Sequence, residues 1–295
     1  MTVSKQRISF RGSDGLELVA DAWGDSGDPP ALLLHGGGQT RHAWAGTGEV
    51  LAREGWYAVS MDLRGHGESE WCPNGDYRHT SFAADTAAVA RSFRTPPVLV
   101  GASLGGISSL FALGHAAEAS QPPIARALVL VDIATRMEID GAKRIIEFMG
   151  SNPDGFANLD EAADAIAGYN PHRPRPKDPS GLAKNLRLQP NGRYLWHWDP
   201  AFIEGRFQTD ALLELERLDA AARGLTIPTL LVRGRMSDLL SESGAREFLE
   251  QVPHAHFVDV SGAGHMVAGD RNDRFTLAVV DFLREQVAKP SHTAS

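Results

Sequence analysis

The sequence lacks several features that mark specialised classes of protein. It has one cysteine in 295 residues, which excludes an intramolecular disulfide framework and a zinc site built from several thiolates. No apolar stretch approaches the roughly 20 residues that a helix needs to cross a bilayer. The first residues, Met1–Arg7, lead into no apolar run of signal-peptide length. We therefore expect a protein of the reducing cytoplasm that has no contact with a membrane.

Basic residues are also outnumbered. The 29 Lys and Arg residues and 37 Asp and Glu residues give a formal net charge of −8. This charge argues against binding of nucleic acid through electrostatic attraction. The 42% of apolar and 22% of charged residues are ordinary for a globular protein, so a wholly disordered chain is excluded. A chain of this length buries about 75% of its unfolded surface. We expect it to form its own core, as a monomer or a homodimer.

Short apolar runs alternate with helix-like stretches along much of the chain. Nearly continuous Val and Leu runs predict buried strands at 31–34, 56–61, 98–100, 127–131, 229–232 and 256–260. Residues 16–23 alternate apolar with polar side chains, which predicts a half-exposed edge strand. Helical patterns lie near 42–54, 80–93, 104–117, 242–251 and 270–288. This alternation predicts an α/β fold with a mostly parallel sheet that helices cover on both faces.

The alternation stops between residues 136 and 223. Helical patterns dominate this segment, no clear strand is visible, and four prolines between residues 170 and 179 forbid a regular helix there. The segment therefore predicts a mostly helical insertion between two strands of the sheet. It divides the chain into a core domain, residues 1–135 and 224–295, and a cap, residues 136–223.

The clearest chemical motif is Gly101-Ala102-Ser103-Leu104-Gly105, which matches G-x-S-x-G. It follows a predicted strand and precedes a predicted helix, the context in which this pattern forms a strained turn that exposes the serine hydroxyl. Ser103 would then lie at the carboxyl end of a strand, where parallel sheets bind their ligands. The simpler alternative is a serine that only caps the helix. The flanking elements favour Ser103 as a catalytic nucleophile.

A serine hydroxyl needs a base to remove its proton. Among 11 histidines, His265 is the best candidate, because it follows the last predicted strand in a loop rich in glycine. The base in turn needs a carboxylate that holds its tautomer. Asp238 follows the strand at 229–232 and completes the chain order Ser, Asp, His that accompanies this motif. Asp132, at the end of an earlier strand, is the rival; we favour Asp238.

Attack on a carbonyl creates an oxyanion, which needs two preorganised donors. One is predicted to be the backbone N–H of Leu104, the residue after the nucleophile. The other is predicted in His35-Gly36-Gly37-Gly38, at the N–H of Gly37, because glycines let the backbone approach a carbonyl oxygen. His35 could be taken for a second base. We interpret it as a brace that holds this loop through hydrogen bonds.

These motifs, in this order, resemble those of the α/β-hydrolase family. The resemblance rests on His35-Gly36, on Asp62-Leu63-Arg64-Gly65-His66-Gly67-Glu68-Ser69, on Gly101 to Gly106, on Asp238 and on Gly264-His265. The segment 62–69 is typical of the branch that contains esterases, epoxide hydrolases, C–C bond hydrolases, enol-lactonases and cofactor-free haloperoxidases. The resemblance spans roughly residues 8–135 and 224–288. It implies an α/β-hydrolase fold in which residues 136–223 stand in the position of the variable cap.

The residue at the nucleophile position narrows the chemistry. Epoxide hydrolases and haloalkane dehalogenases of the family carry aspartate where this chain has Ser103, so an alkyl–enzyme ester is not expected. We predict a serine hydrolase that cleaves an ester or lactone of a small or medium-sized apolar molecule through an acyl-enzyme. A C–C bond (β-diketone) hydrolase and a cofactor-free haloperoxidase would use the same triad. A non-enzymatic ligand receptor on this fold is a third alternative.

The predicted cap carries enough apolar bulk to form a substrate pocket. Most of its large side chains can be expected to pack the cap on the core, but Trp196-His197-Trp198 is a cluster that could line a cavity. The predicted substrate-binding residues are Gly38, Phe148, Met149, Trp196, Trp198 and Met266.

A nucleotide-binding oxidoreductase is the alternative from another class. Gly36-Gly37-Gly38 follows a strand, and Asp62 ends the next strand near the spacing of a ribose-binding acid. However, Arg41 stands where the G-x-G-x-x-G fingerprint needs its third glycine. Because the chain also has no H-E-x-x-H motif, we expect neither a cofactor nor a metal.

Overall fold

The computed structural model describes residues 3–169, 175–205, 211–264 and 272–287. Within these residues, eight strands form one sheet in the order β1-β2-β4-β3-β5-β6-β9-β10. The strands are β1 (Lys5–Arg11), β2 (Glu17–Trp23), β3 (Pro30–Leu34), β4 (Tyr57–Met61), β5 (Val98–Ala102), β6 (Ala127–Val131), β9 (Thr229–Gly234) and β10 (His256–Val260). A separate hairpin pairs β7 (Leu186–Leu188) with β8 (Tyr194–Trp196).

The sheet is parallel from β4 to β10, and β2 alone runs against its neighbours. The prediction that residues 16–23 form an edge strand was wrong. β2 is hydrogen-bonded on both sides and almost entirely buried, and the edge is β1, whose side chains are mostly exposed. β1 contains no apolar run, because an exposed edge strand does not need one.

Helices cover both faces of the sheet. They are α1 (Ala45–Arg53), α2 (His79–Ser92), α3 (Leu104–Glu118), α4 (Ile139–Gly150), α5 (Leu159–Tyr169), α6 (Pro200–Gly205), α7 (Ala211–Arg223), α8 (Glu242–Gln251) and α9 (Asn272–Gln286). Adjacent strand residues point to opposite faces, so Leu32 joins the apolar layer of α2 and α3, and Leu33 joins that of α1 and α9. The mostly parallel sheet, covered on both faces, is therefore confirmed. None of the helices in the described ranges is both long and apolar enough to span a membrane.

The predicted cap contains α4 to α7 and the hairpin of β7 and β8. The expectation of no strand in this segment was wrong, since a 3-10 helix (Pro179–Asn185) leads into β7, which pairs with β8. At its end, α7 packs closely on α3: a Cβ on Gly114 would lie 2.8 Å from the Cβ of Ala221. The domain boundaries at 136 and 223 remain predictions.

The register brings the carboxyl ends of the parallel strands together. Leu34 of β3 pairs with Gly101 of β5, and Val131 of β6 pairs with both Ala102 of β5 and Val232 of β9. The loops that follow these strands therefore meet at one edge of the sheet. We call this edge, formed by residues 35–38, 62–69, 103, 132 and 235–238, the strand-end rim.

Candidate active site

Ser103 occupies a strained turn at the centre of the strand-end rim. It lies between β5 and α3 with φ 45° and ψ −113°, a region that costs a residue other than glycine about 1–3 kcal/mol. A Cβ on Gly101 would lie 2.5 Å from the backbone of Gly105, and one on Gly105 would lie 2.4 Å from the carbonyl oxygen of Leu34. Both positions of the motif must therefore be glycine, because a Cβ at either would clash with backbone atoms. The geometry is that of a turn built to project the Ser103 side chain.

The backbone N–H groups around Ser103 show which donors are already used. In the loop after β3, the Gly36 N–H donates to Gln39 Oε1 at 3.0 Å and the Gly38 N–H donates to His66 Nε2 at 3.2 Å. The N–H of Gly37 has no acceptor among the described residues. Leu104 begins α3, and the first N–H groups of a helix have no acceptor within it. The two predicted oxyanion donors are therefore among the backbone N–H groups that have no acceptor within the described residues.

His35 contacts the same loop without facing the reaction site. Its Nε2 accepts a hydrogen bond from the N–H of Leu63 at 3.0 Å, so its Nδ1 carries the proton and donates to the carbonyl of Gly36 at 2.8 Å. The side chain is fully buried, and this burial lowers its pKa to about 3. Both ring nitrogens are occupied and the ring stays neutral. These contacts are those of a brace, as the sequence predicts.

Two more imidazoles, which the sequence analysis did not assign to this role, pack beside His35. The ring centroid of His66 lies 5.2 Å from that of His35 and 5.8 Å from that of His197, which comes from the cap. His197 is buried, and burial together with the nearby His66 lowers its pKa to about 3. Its ring also meets that of Trp198 edge-on, with centroids 5.2 Å apart, and the sequence carries no signal that distinguishes it from the other histidines of the chain.

The two candidate carboxylates have very different surroundings. Asp132 follows β6 directly, is fully buried, and has φ 52°. Its carboxylate accepts hydrogen bonds from the N–H of Gly234, at 2.9 Å, and from the hydroxyl of Ser237. The side chain of Asp238 is 43% exposed and pairs with Arg144 of α4. Asp132 is thus fixed inside the strand-end rim, whereas Asp238 holds a surface contact between cap and core.

His265 and Met266 lie outside the described residues. The segment that leads to them is described as far as Gly264. The Met236 N–H donates to the carbonyl of Ala263 at 2.9 Å, and a Cβ on Gly234 would lie 2.2 Å from the carbonyl oxygen of Gly264. The chain therefore reaches position 264 in contact with Gly234, the residue whose N–H donates to Asp132.

Several predicted substrate-binding residues of the cap come together above the loop. A Cβ on Gly38 would lie 3.0 Å from Met149 Cε and 3.4 Å from the ring of Trp198. Trp196 stacks on Trp198 with ring centroids 4.8 Å apart, and Phe148 meets Trp196 edge-on at 5.6 Å. The cap thus presents a connected apolar wall beside the loop of residues 35–38.

Asp62, on which the nucleotide-binding alternative depends, is not available to a ribose. It is fully buried and accepts hydrogen bonds from the N–H groups of Arg41, at 2.6 Å, and Glu68, at 2.9 Å, while its carboxylate pairs with the Arg41 guanidinium. Arg64 pairs instead with Asp85 at 2.6 Å. Asp62 therefore holds the turn that follows β4 and pairs with Arg41 rather than with Arg64.

Comparisons with known proteins agree with this arrangement. The model of a family described as "Alpha/beta hydrolase family" matches residues 31–278. The chain is 29% identical over 263 residues to esterase Rv0045c of Mycobacterium tuberculosis, covering 86% of this chain and 82% of the relative. It is 25% identical over 253 residues to 2-(acetamidomethylene)succinate hydrolase of Mesorhizobium japonicum, covering 82% and 84%.

Solved structures show the same fold. The crystal structure of Rv0045c superposes with a TM-score of 0.75 at 26% identity, covering 96% of this chain and 92% of the other. That of E-2-(acetamidomethylene)succinate hydrolase gives a TM-score of 0.78 at 23% identity, covering 95% and 100%. The second likeness concerns the fold alone.

Proposed function

Because the chain belongs to the alpha/beta hydrolase family, we propose that it is a serine hydrolase that cleaves the carboxylic ester or lactone bond of a small or medium-sized apolar molecule. The observation that carries this proposal is the position of Ser103. It begins α3 from a strained turn, and the neighbouring loop is close, since a Cβ on Gly36 would lie 3.3 Å from Ser103 Cβ. The N–H groups of Gly37 and Leu104 have no acceptor among the described residues. An esterase among the relatives supports ester chemistry.

The reaction follows from these groups. Ser103 Oγ attacks the carbonyl carbon while His265 removes the hydroxyl proton, and the oxyanion accepts hydrogen bonds from the N–H groups of Gly37 and Leu104. The C–O bond to the alcohol then breaks, and the leaving alkoxide takes the proton from His265. Water repeats the sequence on the acyl-enzyme, which releases a carboxylic acid and restores Ser103.

For the acid that orients His265, we propose Asp132 in place of the predicted Asp238. A triad acid must be buried and held in one orientation, because it fixes the tautomer of the imidazole. Asp132 meets this requirement through its bonds with Gly234 and Ser237. The chain order Ser, Asp, His is the same for both candidates, so the order favours neither. The contact of Gly264 with Gly234 supports Asp132 further, since it brings the chain toward position 265 beside this carboxylate.

The proposal is tested by Ser103→Ala with p-nitrophenyl acetate and butyrate. We expect kcat/KM to fall by at least about 10³-fold, because both steps of the reaction use this hydroxyl, while the far-UV circular dichroism spectrum is unchanged. The matched control is Ser92→Ala, at the exposed end of α2, which should keep the parent activity. Activity of Ser103→Ala within about tenfold of the parent would rule out the acyl-enzyme mechanism.

The same purified protein identifies the bond that is cleaved. We expect acid release from aryl esters or lactones and none from β-diketones. Release from β-diketones alone, lost in Ser103→Ala, would instead favour the C–C bond hydrolase. Labelling of Ser103 by a fluorophosphonate without turnover of any substrate in the panel would favour the receptor.

A further inference from the structure

Residues 35–39 contain the proposed donor Gly37, and we call them the oxyanion loop. Three successive peptide groups of this loop each form a hydrogen bond with a different buried histidine. His35 donates to the carbonyl of Gly36, in the peptide that carries the N–H of Gly37. His66 accepts from the N–H of Gly38, in the next peptide. The cap residue His197 donates to the carbonyl of Gly38, in the third peptide, at 3.1 Å.

The hydrogen bonds fix the proton of His197 on one nitrogen. Its Nδ1 accepts the N–H of Gly67 at 2.8 Å, so Nδ1 carries no proton and Nε2 must be the donor to the Gly38 carbonyl. Both partners are backbone groups of the core domain, whereas the imidazole belongs to the cap. A neutral ring in this one tautomer therefore ties the cap to the loop.

The contact of His197 reaches the predicted oxyanion donor through two peptide groups that one hydrogen bond joins. Because a peptide group is planar, holding the Gly38 carbonyl also sets the direction of the Gln39 N–H. That N–H donates to the Gly36 carbonyl at 3.1 Å. The Gly36 carbonyl and the Gly37 N–H belong to the same peptide group, which is held directly by His35 and, through the Gln39 N–H, by the bond that His197 makes.

The two residues that follow His197 also contact the core domain. Trp198 packs on Gly38, and the Asp199 N–H donates to the carbonyl of Gly65 at 2.9 Å. The hydroxyl of Tyr77 donates to the Asp199 carboxylate at 2.6 Å. Residues 197–199 therefore form a fixed segment of the cap seated on the core, which we call the seating segment.

We propose that His197 is a positioning residue for catalysis: through the Gly38 carbonyl, it holds the Gly37 N–H in the direction that the oxyanion requires. The inference rests on the proposed function and extends it, since it makes a seated cap a condition for a complete oxyanion hole. It assigns to His197 an effect on the transition state and none on the binding of the ground-state ester.

The test compares two amide side chains, each of which can keep one of the two hydrogen bonds that His197 makes with Gly67 and Gly38. In His197→Asn the side-chain oxygen can replace Nδ1 toward Gly67, but the donor to Gly38 is lost. In His197→Gln the longer side chain can place its N–H near the position of Nε2 and so keep that donor. The control is His254→Asn, which changes an exposed histidine in the core domain. The readouts are kcat and KM for p-nitrophenyl butyrate and the affinity for an aryl trifluoromethyl ketone, which forms a tetrahedral oxyanion adduct with a serine.

We expect kcat of His197→Asn to fall by about 10- to 100-fold, because small displacements of catalytic groups have effects of this size, with KM unchanged. Affinity for the ketone should fall by the same factor, while His197→Gln loses less of both and His254→Asn loses neither. Parent values of kcat and ketone affinity in His197→Asn would overturn the inference. So would a loss of kcat that leaves the ketone affinity intact.

Failure of folding and failure of the proposed function can both be recognised. If His197→Asn does not fold, as judged by circular dichroism, His197→Gln and His197→Ala decide: equal kcat and ketone affinity in the two would overturn the inference, and higher values in His197→Gln would support it. If the parent protein is neither active on esters nor labelled by a fluorophosphonate, the proposed function itself is wrong. If the parent is active and folded His197→Asn matches it, only the role of His197 is wrong.

Discussion

The strand-end rim and the cap position their side chains by different means. At the rim, Ser103 and Asp132 both have positive φ angles, and the glycines around Ser103 are required by contacts with backbone atoms. In the cap, the aromatic wall is held by ring stacking, as for Trp196 on Trp198. Among the described cap residues, the seating segment is the part that bonds to the loop of residues 35–38. From this difference we expect the backbone to set the chemistry at the rim and side-chain packing in the cap to set the choice of substrate.

Among the substitutions that test this difference between rim and cap, we expect the largest loss of kcat at Asp132. In Asp132→Asn, the amide oxygen can still accept the Gly234 N–H and the amide nitrogen can donate to Ser237, so the fold should survive. The variant can no longer stabilise the correct tautomer of His265, and we expect kcat to fall by about 10⁴-fold. The measurement is steady-state hydrolysis of p-nitrophenyl acetate between pH 6 and 9.

Asp238→Asn is the matched control for this prediction. It removes an exposed ion pair with Arg144, an interaction of a type typically worth about 0–1 kcal/mol, so kcat should change by less than about fivefold. The reverse pattern, with Asp238→Asn nearly inactive and Asp132→Asn active, would restore Asp238 as the acid.

A smaller effect, confined to substrate choice, is expected at Trp196. Trp196→Ala removes the ring that stacks on Trp198 without touching the oxyanion loop directly. We expect the ratio of kcat/KM for a bulky aryl ester to that for p-nitrophenyl acetate to change by about tenfold, the size typical of altered apolar pockets. Trp71→Ala, at a 36% exposed tryptophan, serves as the control. Equal losses for both esters would show that the wall serves folding and not selectivity.

The smallest effect concerns the pH dependence of stability. The folded-state pKa of His197 is lowered from 6.5 to about 3, so above pH 6.5 its ring is neutral in both the folded and unfolded states. As the pH falls from 6.5 toward 3, the unfolded chain binds a proton that the folded chain does not, and the folded state loses stability. Between pH 7 and 6 this loss is under about 1 kcal/mol for His197.

Urea unfolding of the parent and His197→Gln at both pH values measures this contribution. The parent should lose more unfolding free energy than the variant as the pH falls, because glutamine does not titrate. His35 is buried with its pKa lowered in the same direction, and it is present in both proteins, so its contribution cancels in the difference. Identical losses in the two proteins would contradict a buried neutral His197.

The sequence predicts those parts of the molecule that depend on local geometry. The central strands are continuous apolar runs because both of their faces are buried, and the elbow at Ser103 is recognisable because Gly101 and Gly105 have no room for a Cβ. The unused N–H of Gly37 agrees with its predicted place in a glycine-rich turn. In these cases the residue type itself carries the signal: apolar residues where both faces of a strand are buried, and glycine where a Cβ has no room.

The parts that the sequence does not predict depend on contacts distant in the chain. Asp132 and Asp238 both follow strands, and only the tertiary structure shows that one is buried against Gly234 and the other paired with Arg144. The role of His197 depends on Gly38, which is 159 residues away. β1 was missed because its partner supplies the apolar face while its own side chains remain mostly exposed.

A crystal structure of the protein after reaction with an aryl phosphonate tests the mechanism most directly, because the phosphonyl group mimics the tetrahedral intermediate. The account predicts phosphorus bonded to Ser103 Oγ, with one phosphonyl oxygen about 2.7–3.1 Å from both the Gly37 and Leu104 nitrogens. It also predicts the His265 imidazole between that centre and the Asp132 carboxylate. A phosphonate on another residue, or an oxygen that points away from both N–H groups, would contradict it.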